Sequence, residues 1–214
     1  MSKDRKWYET FYTYAWVFNT GRGLAVCIRF PHNVGILYDL AKSDEFSPAD
    51  FVSEHIAPHL TKYGEQRIAQ CIMSHPHCDH IAEVEEVNGG EDGKSALYPY
   101  LITCPNDKVP RERLDYRRIE TEDNKEMIAA YKKSHEKRNP PLQTITSMVP
   151  CNVPNVEYGF YYMVPPSVSI MHPNSDQDYG NGVSMLLYLR HGNQSILIPG
   201  DVTPEVHKHV LRCG

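Results

Sequence analysis

Three histidines and an aspartate fall within six residues of this chain, in the stretch S-H-P-H-C-D-H-I. An apolar run of six residues, I-A-Q-C-I-M, comes almost directly before it, so the cluster follows a predicted strand. In an extended segment, residues two apart point to the same side, which lets a strand end direct several ligands into one small volume. Imidazole and carboxylate together suit Zn²⁺, Mn²⁺ or Fe²⁺. The candidate metal ligands are His75, His77, Asp79 and His80.

Four ligands exceed what one tetrahedral site with an open position would use, so the cluster predicts a binuclear metal site. Two-metal hydrolases hold ions about 3.5–4 Å apart, and water on such an ion can have a pKa near 7. The sequence therefore predicts a metal-dependent hydrolase that uses a metal-bound hydroxide. The expected cofactors are two divalent ions, with zinc first and manganese or iron as alternatives. Crowding these groups without a metal would be electrostatically unfavourable.

A second stretch with polar residues at a strand end lies near the C-terminus, S-I-L-I-P-G-D-V-T-P-E at 195–205. An apolar strand ends there in Gly200 and Asp201, and a helix follows. A Gly-Asp pair alone is common in polar turns. Beside the histidine cluster, however, Asp201 becomes a candidate bridging carboxylate between two ions.

Together, G-I-L-Y-D, S-H-P-H-C-D-H and S-I-L-I-P-G-D resemble the metallo-β-lactamase-fold hydrolases over roughly residues 12–210, apart from an irregular middle. The resemblance implies an α/β fold, an αββα sandwich with metals at one edge of two packed sheets. It implies that Asp39, at the end of an early strand, supports the site without binding metal. It implies that Asp79 orients or deprotonates the attacking water. The implied metal ligands are His75 and His77 for the first ion, Asp79 and His80 for the second, and Asp201 as the bridge.

Residues 167–201 resemble the corresponding part of the DNA-uptake (competence-related) branch, which implies cleavage of phosphodiesters by a nuclease or nucleotide phosphodiesterase. The expected partner is then a nucleic-acid or nucleotide substrate. Between 108 and 138 the chain has ten Lys/Arg against seven Asp/Glu, although a solvated helix face explains that excess more simply. The basic residues that could meet an anion are Arg111, Arg113, Arg117 and Arg118.

The sequence departs from the family pattern in the window Asp176 to Gly182, where most members carry a metal-binding histidine. Asp178 or Asn181 could supply an oxygen ligand instead, while His172 reads as a structural loop residue. This departure keeps two alternatives open. One is hydrolysis of a thioester, lactone or β-lactam, and the other is a catalytically impaired, partner-binding module on the same scaffold.

The family also continues past the Gly-Asp strand to a final metal-binding histidine. We therefore expect the C-terminal part of the domain to be missing, and a further C-terminal segment or a partner chain to complete the site. His207 and His209 are two apart in the closing helix and so lie on different faces. Both read as surface histidines.

The elements that must position these residues can be read from turn signals and periodicity. We predict one domain, 1–214, with an irregular, partly helical insertion at about 92–150. Three antiparallel strands come first, and Ser47 caps a helix before the strand at 67–74. The predicted strands are 14–20, 24–30, 34–39, 67–74, 144–149, 159–164, 167–171, 183–189 and 194–199, and the other helices are 122–138 and 203–212.

Composition is that of an ordinary globular protein, with 41% hydrophobic residues, 23% charged residues and a net charge of −5. No apolar stretch approaches the roughly 18 residues that span a membrane, so we expect no membrane partner and a cytoplasmic protein. Six cysteines without a C-x-x-C pair predict reduced thiols rather than a disulfide framework.

Overall fold

The chain is a mixed α/β protein with two β-sheets. The computed structural model describes residues 8, 11–62, 64–89, 95, 97–105, 113–136 and 155–213. Its strands are β1 (Tyr14–Val17), β2 (Val26–Phe30), β3 (Val34–Tyr38), β4 (Ile68–Ile72), β5 (Pro99–Thr103), β6 (Val156–Tyr161), β7 (Leu186–His191) and β8 (Gln194–Ile198).

The first sheet contains five strands in the order β1-β2-β3-β4-β5. The pairs β1–β2 and β2–β3 are antiparallel, which confirms the predicted start of the sheet. The pairs β3–β4 and β4–β5 are parallel, so the carboxyl ends of β3, β4 and β5 meet at one edge. Every residue of β2, β3 and β4 is buried, as expected of strands that are covered on both faces.

The second sheet is antiparallel, in the order β6-β7-β8. Side chains from both sheets share one apolar cluster, with Ile28 and Ile36 on the first sheet and Leu187 and Leu189 on the second. Neighbouring residues on the first sheet, such as Leu37, belong to a second cluster together with side chains from the helices. Alternation along each strand therefore places the first sheet between the second sheet and a helical layer.

The helices are α1 (Pro48–Phe51), α2 (Cys78–Ile81), α3 (Val84–Val87), α4 (Lys125–Glu136), α5 (Pro165–Met171), α6 (Asp176–Gly182) and α7 (Pro204–Cys213). Helix α1 continues through a π-helical turn (Val52–Ile56) into a 3₁₀ turn (Ala57–His59). Ser47 caps α1 as predicted, because its hydroxyl accepts a hydrogen bond from the Asp50 amide. Among the described residues, no helix combines the length and apolar character needed to cross a bilayer.

Two parts of the predicted element order need correction. Residues 167–171, predicted as a strand, lie in α5, where Pro165 starts the helix and Val168 is buried in the core. The strand predicted at 159–164 is β6, which begins earlier, at Val156. The predicted strand 144–149 lies outside the described residues. The segment 92–150 contributes a sheet strand, β5, as well as the charged helix α4.

Candidate metal centre

The centre is built where β3 and β4 end side by side. Tyr38 and Ile72 are partners in the parallel ladder, and the next residue, Asp39, donates its amide to the Ile72 carbonyl at 2.7 Å. Asp39 has a φ of 56°, a left-handed conformation that is uncommon for residues other than glycine. Parallel pairing thus brings an aspartate that follows one strand to the histidine loop that follows the next.

The Asp39 carboxylate is buried and accepts three hydrogen bonds. Its Oδ1 accepts from the Ser74 amide at 2.6 Å. Its Oδ2 accepts from the Ser74 hydroxyl at 2.7 Å and lies 2.7 Å from His80 Nδ1. A carboxylate that holds the Nδ1–H of a histidine fixes the ring so that Nε2 is free to bind a metal. Asp39 therefore has the supporting position that the sequence resemblance implied.

His75 is oriented in the same way, through one intermediate group. Its Nδ1 lies 3.0 Å from the Ser74 hydroxyl, which can accept the Nδ1 proton because it donates its own proton to Asp39. Both imidazoles are buried, and their ring centroids are 4.3 Å apart. One aspartate thus orients two histidines, directly for His80 and through Ser74 for His75.

Asp201 approaches from the second sheet, just after β8. The Ser184 hydroxyl accepts a hydrogen bond from the Asp201 amide at 3.2 Å, and the Met185 amide donates to the Ser74 carbonyl at 3.1 Å. These bonds join the turn after β8 to the loop after β4. Gly200 has a φ of 57°, and an added Cβ there would lie 2.3 Å from Ser184 Oγ. Only glycine fits this close approach without displacement.

The three side chains supply donors that fit a divalent ion. One ligand atom each from His75, His80 and Asp201 can be chosen so that all lie within 4.8 Å of one another. His80 Nε2 is buried and forms an ion-pair contact with Asp201 Oδ2 at 3.3 Å, but among the described residues it makes no hydrogen bond of good geometry. Two ligands with bonds of about 2.0–2.1 Å to a tetrahedral zinc ion are about 3.3 Å apart. A buried nitrogen that faces a carboxylate at this separation without good hydrogen-bond geometry suits a shared metal ion.

The electrostatics of the metal-free cluster follow from its two carboxylates. Burial disfavours the charged form of His80, but Asp201 and Asp39 outweigh burial and raise its pKa to about 10. Burial, reinforced by the neighbouring His80 and His77, holds the pKa of His75 well below its usual value. His80 lowers the pKa of Asp201. The site therefore concentrates negative charge around one imidazole, where a divalent cation would also be stabilised.

His77 lies beside this group and faces α6. Its Nδ1 is 3.1 Å from His75 Nε2. Burial lowers the pKa of the His77 ring, and the neighbouring Asn181 side chain opposes that shift. A Cβ added to Gly180 would lie 2.0 Å from His77 Nε2, so α6 can pack here only because residue 180 is glycine. Of the two oxygen ligands considered from sequence, Asn181 lies at His77, whereas Asp178 is exposed.

Asp79 does not join the group of three ligand atoms among the described residues. It is partly buried, and its backbone carbonyl packs against Gly23, where a Cβ would lie only 1.7 Å away. Its roles as ligand and catalytic residue stay predictions. His172 has a structural contact, with Nε2 3.1 Å from the Thr203 hydroxyl. His207 is not fully surface-exposed as predicted, because its Nε2 is buried and lacks a hydrogen-bond partner.

Sequence reasoning missed two serines that organise the site, Ser74 and Ser184. A signal existed for each, since one precedes the first histidine of the cluster and the other precedes the apolar strand β7. It also missed the packing role of Gly180, which is visible only once α6 lies against His77.

Comparison with models of known protein families gave no match, and a search of curated proteins found no relative. The functional assignment therefore depends on the geometry of the centre and on the sequence motifs.

Proposed function

We propose that this chain is a metal-dependent hydrolase with a metallo-β-lactamase-like αββα arrangement, acting on phosphodiesters as a nuclease or nucleotide phosphodiesterase. The observation that supports the proposal is the group His75, His80 and Asp201, in which one ligand atom of each lies within 4.8 Å of the others and the buried His80 Nε2 faces a carboxylate oxygen at 3.3 Å. A divalent ion bound there would lower the pKa of a bound water towards 7 and so supply a nucleophile at neutral pH.

The residues of the chain have separate tasks in this proposal. His75 and His80 are held at Nδ1 by Ser74 and Asp39, so their rings need little reorientation on binding a cation. The 3.1 Å contact between His75 Nε2 and His77 Nδ1 must open first. Asp201 has a side chain that is 41% exposed, which leaves the centre open to solvent and substrate on the side of β8. The resemblance pairs His75 with His77 and Asp79 with His80 around two ions, whereas the structure groups ligand atoms of His75, His80 and Asp201. In our proposal His77 and Asp79 are therefore left to hold a second ion.

Of the basic residues that sequence analysis considered for an anionic substrate, Arg117 is the clearest candidate. Its side chain is 89% exposed and pairs only with the partly exposed Asp115 among the described groups. The Arg118 side chain, in contrast, is 14% exposed and is engaged by the loop before α6. Arg113 is exposed, and Arg111 lies outside the described residues.

The test is hydrolysis of DNA, RNA and a generic aryl phosphodiester by chain loaded with zinc or manganese. We expect turnover that Asp201→Asn abolishes and that Arg117→Glu reduces. Arg190→Glu is the matched charge reversal, because Arg190 lies far along β7 from the Ser184 end and is half-exposed. If the loaded chain leaves all three substrates intact, the phosphodiesterase proposal fails.

A groove beside Asp201 favours a second candidate substrate class. About 450 Å³ in volume, it is lined mostly by apolar side chains and contains no Lys or Arg. Val17 and Leu197 are its most exposed apolar side chains, at 70% and 44%. An apolar thioester, lactone or β-lactam fits such a surface better than a polyanion. Turnover of such a substrate that survives Arg117→Glu would favour this class.

A further inference from the structure

Arg118 joins the turn at 115–118 to the loop between α5 and α6. Its guanidinium donates to the carbonyls of His172 and Ser175, at 2.7 and 3.0 Å. It also donates to the Ser169 hydroxyl at 3.1 Å and pairs with the Asp176 carboxylate at 2.7 Å. These four acceptors lie at the end of α5, in the loop and at the start of α6.

A second set of contacts reaches the interior of α6. The Arg118 guanidinium carbon lies 4.4 Å from the ring centroid of Tyr179, a cation–π distance. The Tyr179 hydroxyl accepts a hydrogen bond from the Asp115 amide at 2.8 Å. Tyr179 is buried, and the next residue is Gly180, the close contact of His77. One turn of the chain thus holds both the start and the middle of the helix that packs against the histidine loop.

We propose that Arg118 is a positioning residue for the metal centre: it fixes α6 so that Gly180 and Asn181 hold the His77 imidazole beside His75. This inference deepens the proposed function and rests on it. The charge pattern alone would assign Arg118 to substrate binding. The contacts of its guanidinium assign it a positioning role instead. Arg118 has the planar, five-donor geometry that satisfies several acceptors at once, which a lysine ammonium cannot reproduce.

The readout is the pair of His77 ring-nitrogen NMR signals in the chelator-treated chain, because the proposal concerns ring placement before metal binds. We expect Arg118→Gln to shift these signals and Arg118→Lys to restore them only in part. Arg190→Gln is the matched control, since the Arg190 side chain is half-exposed and pairs with Glu157 on the second sheet, far from α6 along β7. It should leave the His77 signals in place.

Zinc affinity, measured by competition with a chelator, gives a second arm. We expect Arg118→Gln to lower affinity about tenfold or more, the scale of lost outer-shell partners. His77 signals that coincide in wild type and a folded Arg118→Gln variant would overturn the inference. If that variant does not fold, Asp176→Asn removes one ion-pair arm and should shift the same signals; no shift would again overturn it. A wild-type chain that binds no zinc refutes the proposed function, while the NMR arm still decides the role of Arg118.

Discussion

The two sheets contribute unlike halves to the candidate metal centre. The first sheet supplies His75 and His80, which are buried and whose Nδ1 atoms are held by Ser74 and Asp39. The second sheet supplies one carboxylate, Asp201, on a turn after a strand whose first four residues are exposed. The difference teaches how a site can be both rigid and open: fixed ligands lower the cost of reorganisation, and an exposed ligand leaves access for substrate.

The largest expected effect is that of Asp39→Asn. This substitution tests the rigid half of the site, which is the set of buried, fixed side chains on the first sheet. An asparagine has one oxygen, so it cannot accept from the Ser74 amide, the Ser74 hydroxyl and His80 at the same time. We expect the free energy of unfolding of the chelator-treated chain to fall by about 3–5 kcal/mol, as when one partner of a buried pair is removed. Urea unfolding measures this change. The same substitution at Asp201 should cost less than about 1 kcal/mol, because that pair is partly exposed. Equal losses of unfolding free energy in the Asp39 and Asp201 variants would contradict this difference between the two sheets.

Asp201 should matter more for metal binding than for the stability of the metal-free chain. Asp201→Asn should lower zinc affinity by at least about 100-fold, beyond the usual cost of losing an outer-shell partner. Asp178→Asn is the matched control, since Asp178 is an exposed aspartate of α6. Competition with a chromophoric chelator gives both constants. Unchanged affinity in the Asp201 variant would remove this residue from the ligand set.

An intermediate effect is expected where α6 contacts the histidine loop. In Gly180→Ala the new methyl would meet His77 Nε2 at 2.0 Å, so the ring or the helix must move. We expect a loss of about 1–3 kcal/mol in the free energy of unfolding, typical of overpacking. Gly159→Ala is the control, because nothing lies within 4 Å of a Cβ at that position in β6. Equal unfolding midpoints for the two variants would contradict the packing of α6 against His77.

The smallest effect on stability is expected in the open half of the site, which is the exposed strand β8 with Asp201 after it. Leu197→Thr places a β-branched residue, which suits a strand, in β8 at a site that is 44% exposed, so the free energy of unfolding should change by no more than about 0.5 kcal/mol. If the groove beside Asp201 binds apolar substrates, the ratio of turnover on an aryl ester to turnover on an aryl phosphodiester should fall. A destabilisation comparable to that of Gly180→Ala would show that β8 is less exposed than described.

Sequence patterns predicted the strands that carry the site better than the helices around it. Apolar runs ending in polar residues identified β3, β4 and β8 together with the residues that follow each strand. The β-branched alternation of residues 167–171 suggested a strand, but tertiary packing of Val168 favours a helix that Pro165 begins. No helix was predicted for Asp176–Gly182, although Ser175 caps one there.

The position of the histidine cluster could be predicted more readily than which of its residues lie together as candidate ligands. Once a helix begins, the side chains of neighbouring residues point in different directions. Helix α2 starts at Cys78, so Asp79 and His80 are successive positions that point about 100° apart. His80 turns towards Asp39, while Asp79 stays outside the group of three ligand atoms among the described residues. The pairing of β3 with β4, which brings Asp39 to His80, is a long-range contact that spacing along the chain does not encode.

The most direct test of the central claim is zinc-edge anomalous diffraction from crystals of the chain soaked in zinc. The account predicts a peak bonded to His75 Nε2, His80 Nε2 and an Asp201 carboxylate oxygen, at distances of about 2.0–2.2 Å. A second peak beside the first would confirm that the site is binuclear, and its ligands would decide between the predicted pair, Asp79 and His80, and the pair proposed here, His77 and Asp79. Zinc bound only elsewhere, with His80 Nε2 still unliganded, would contradict the account.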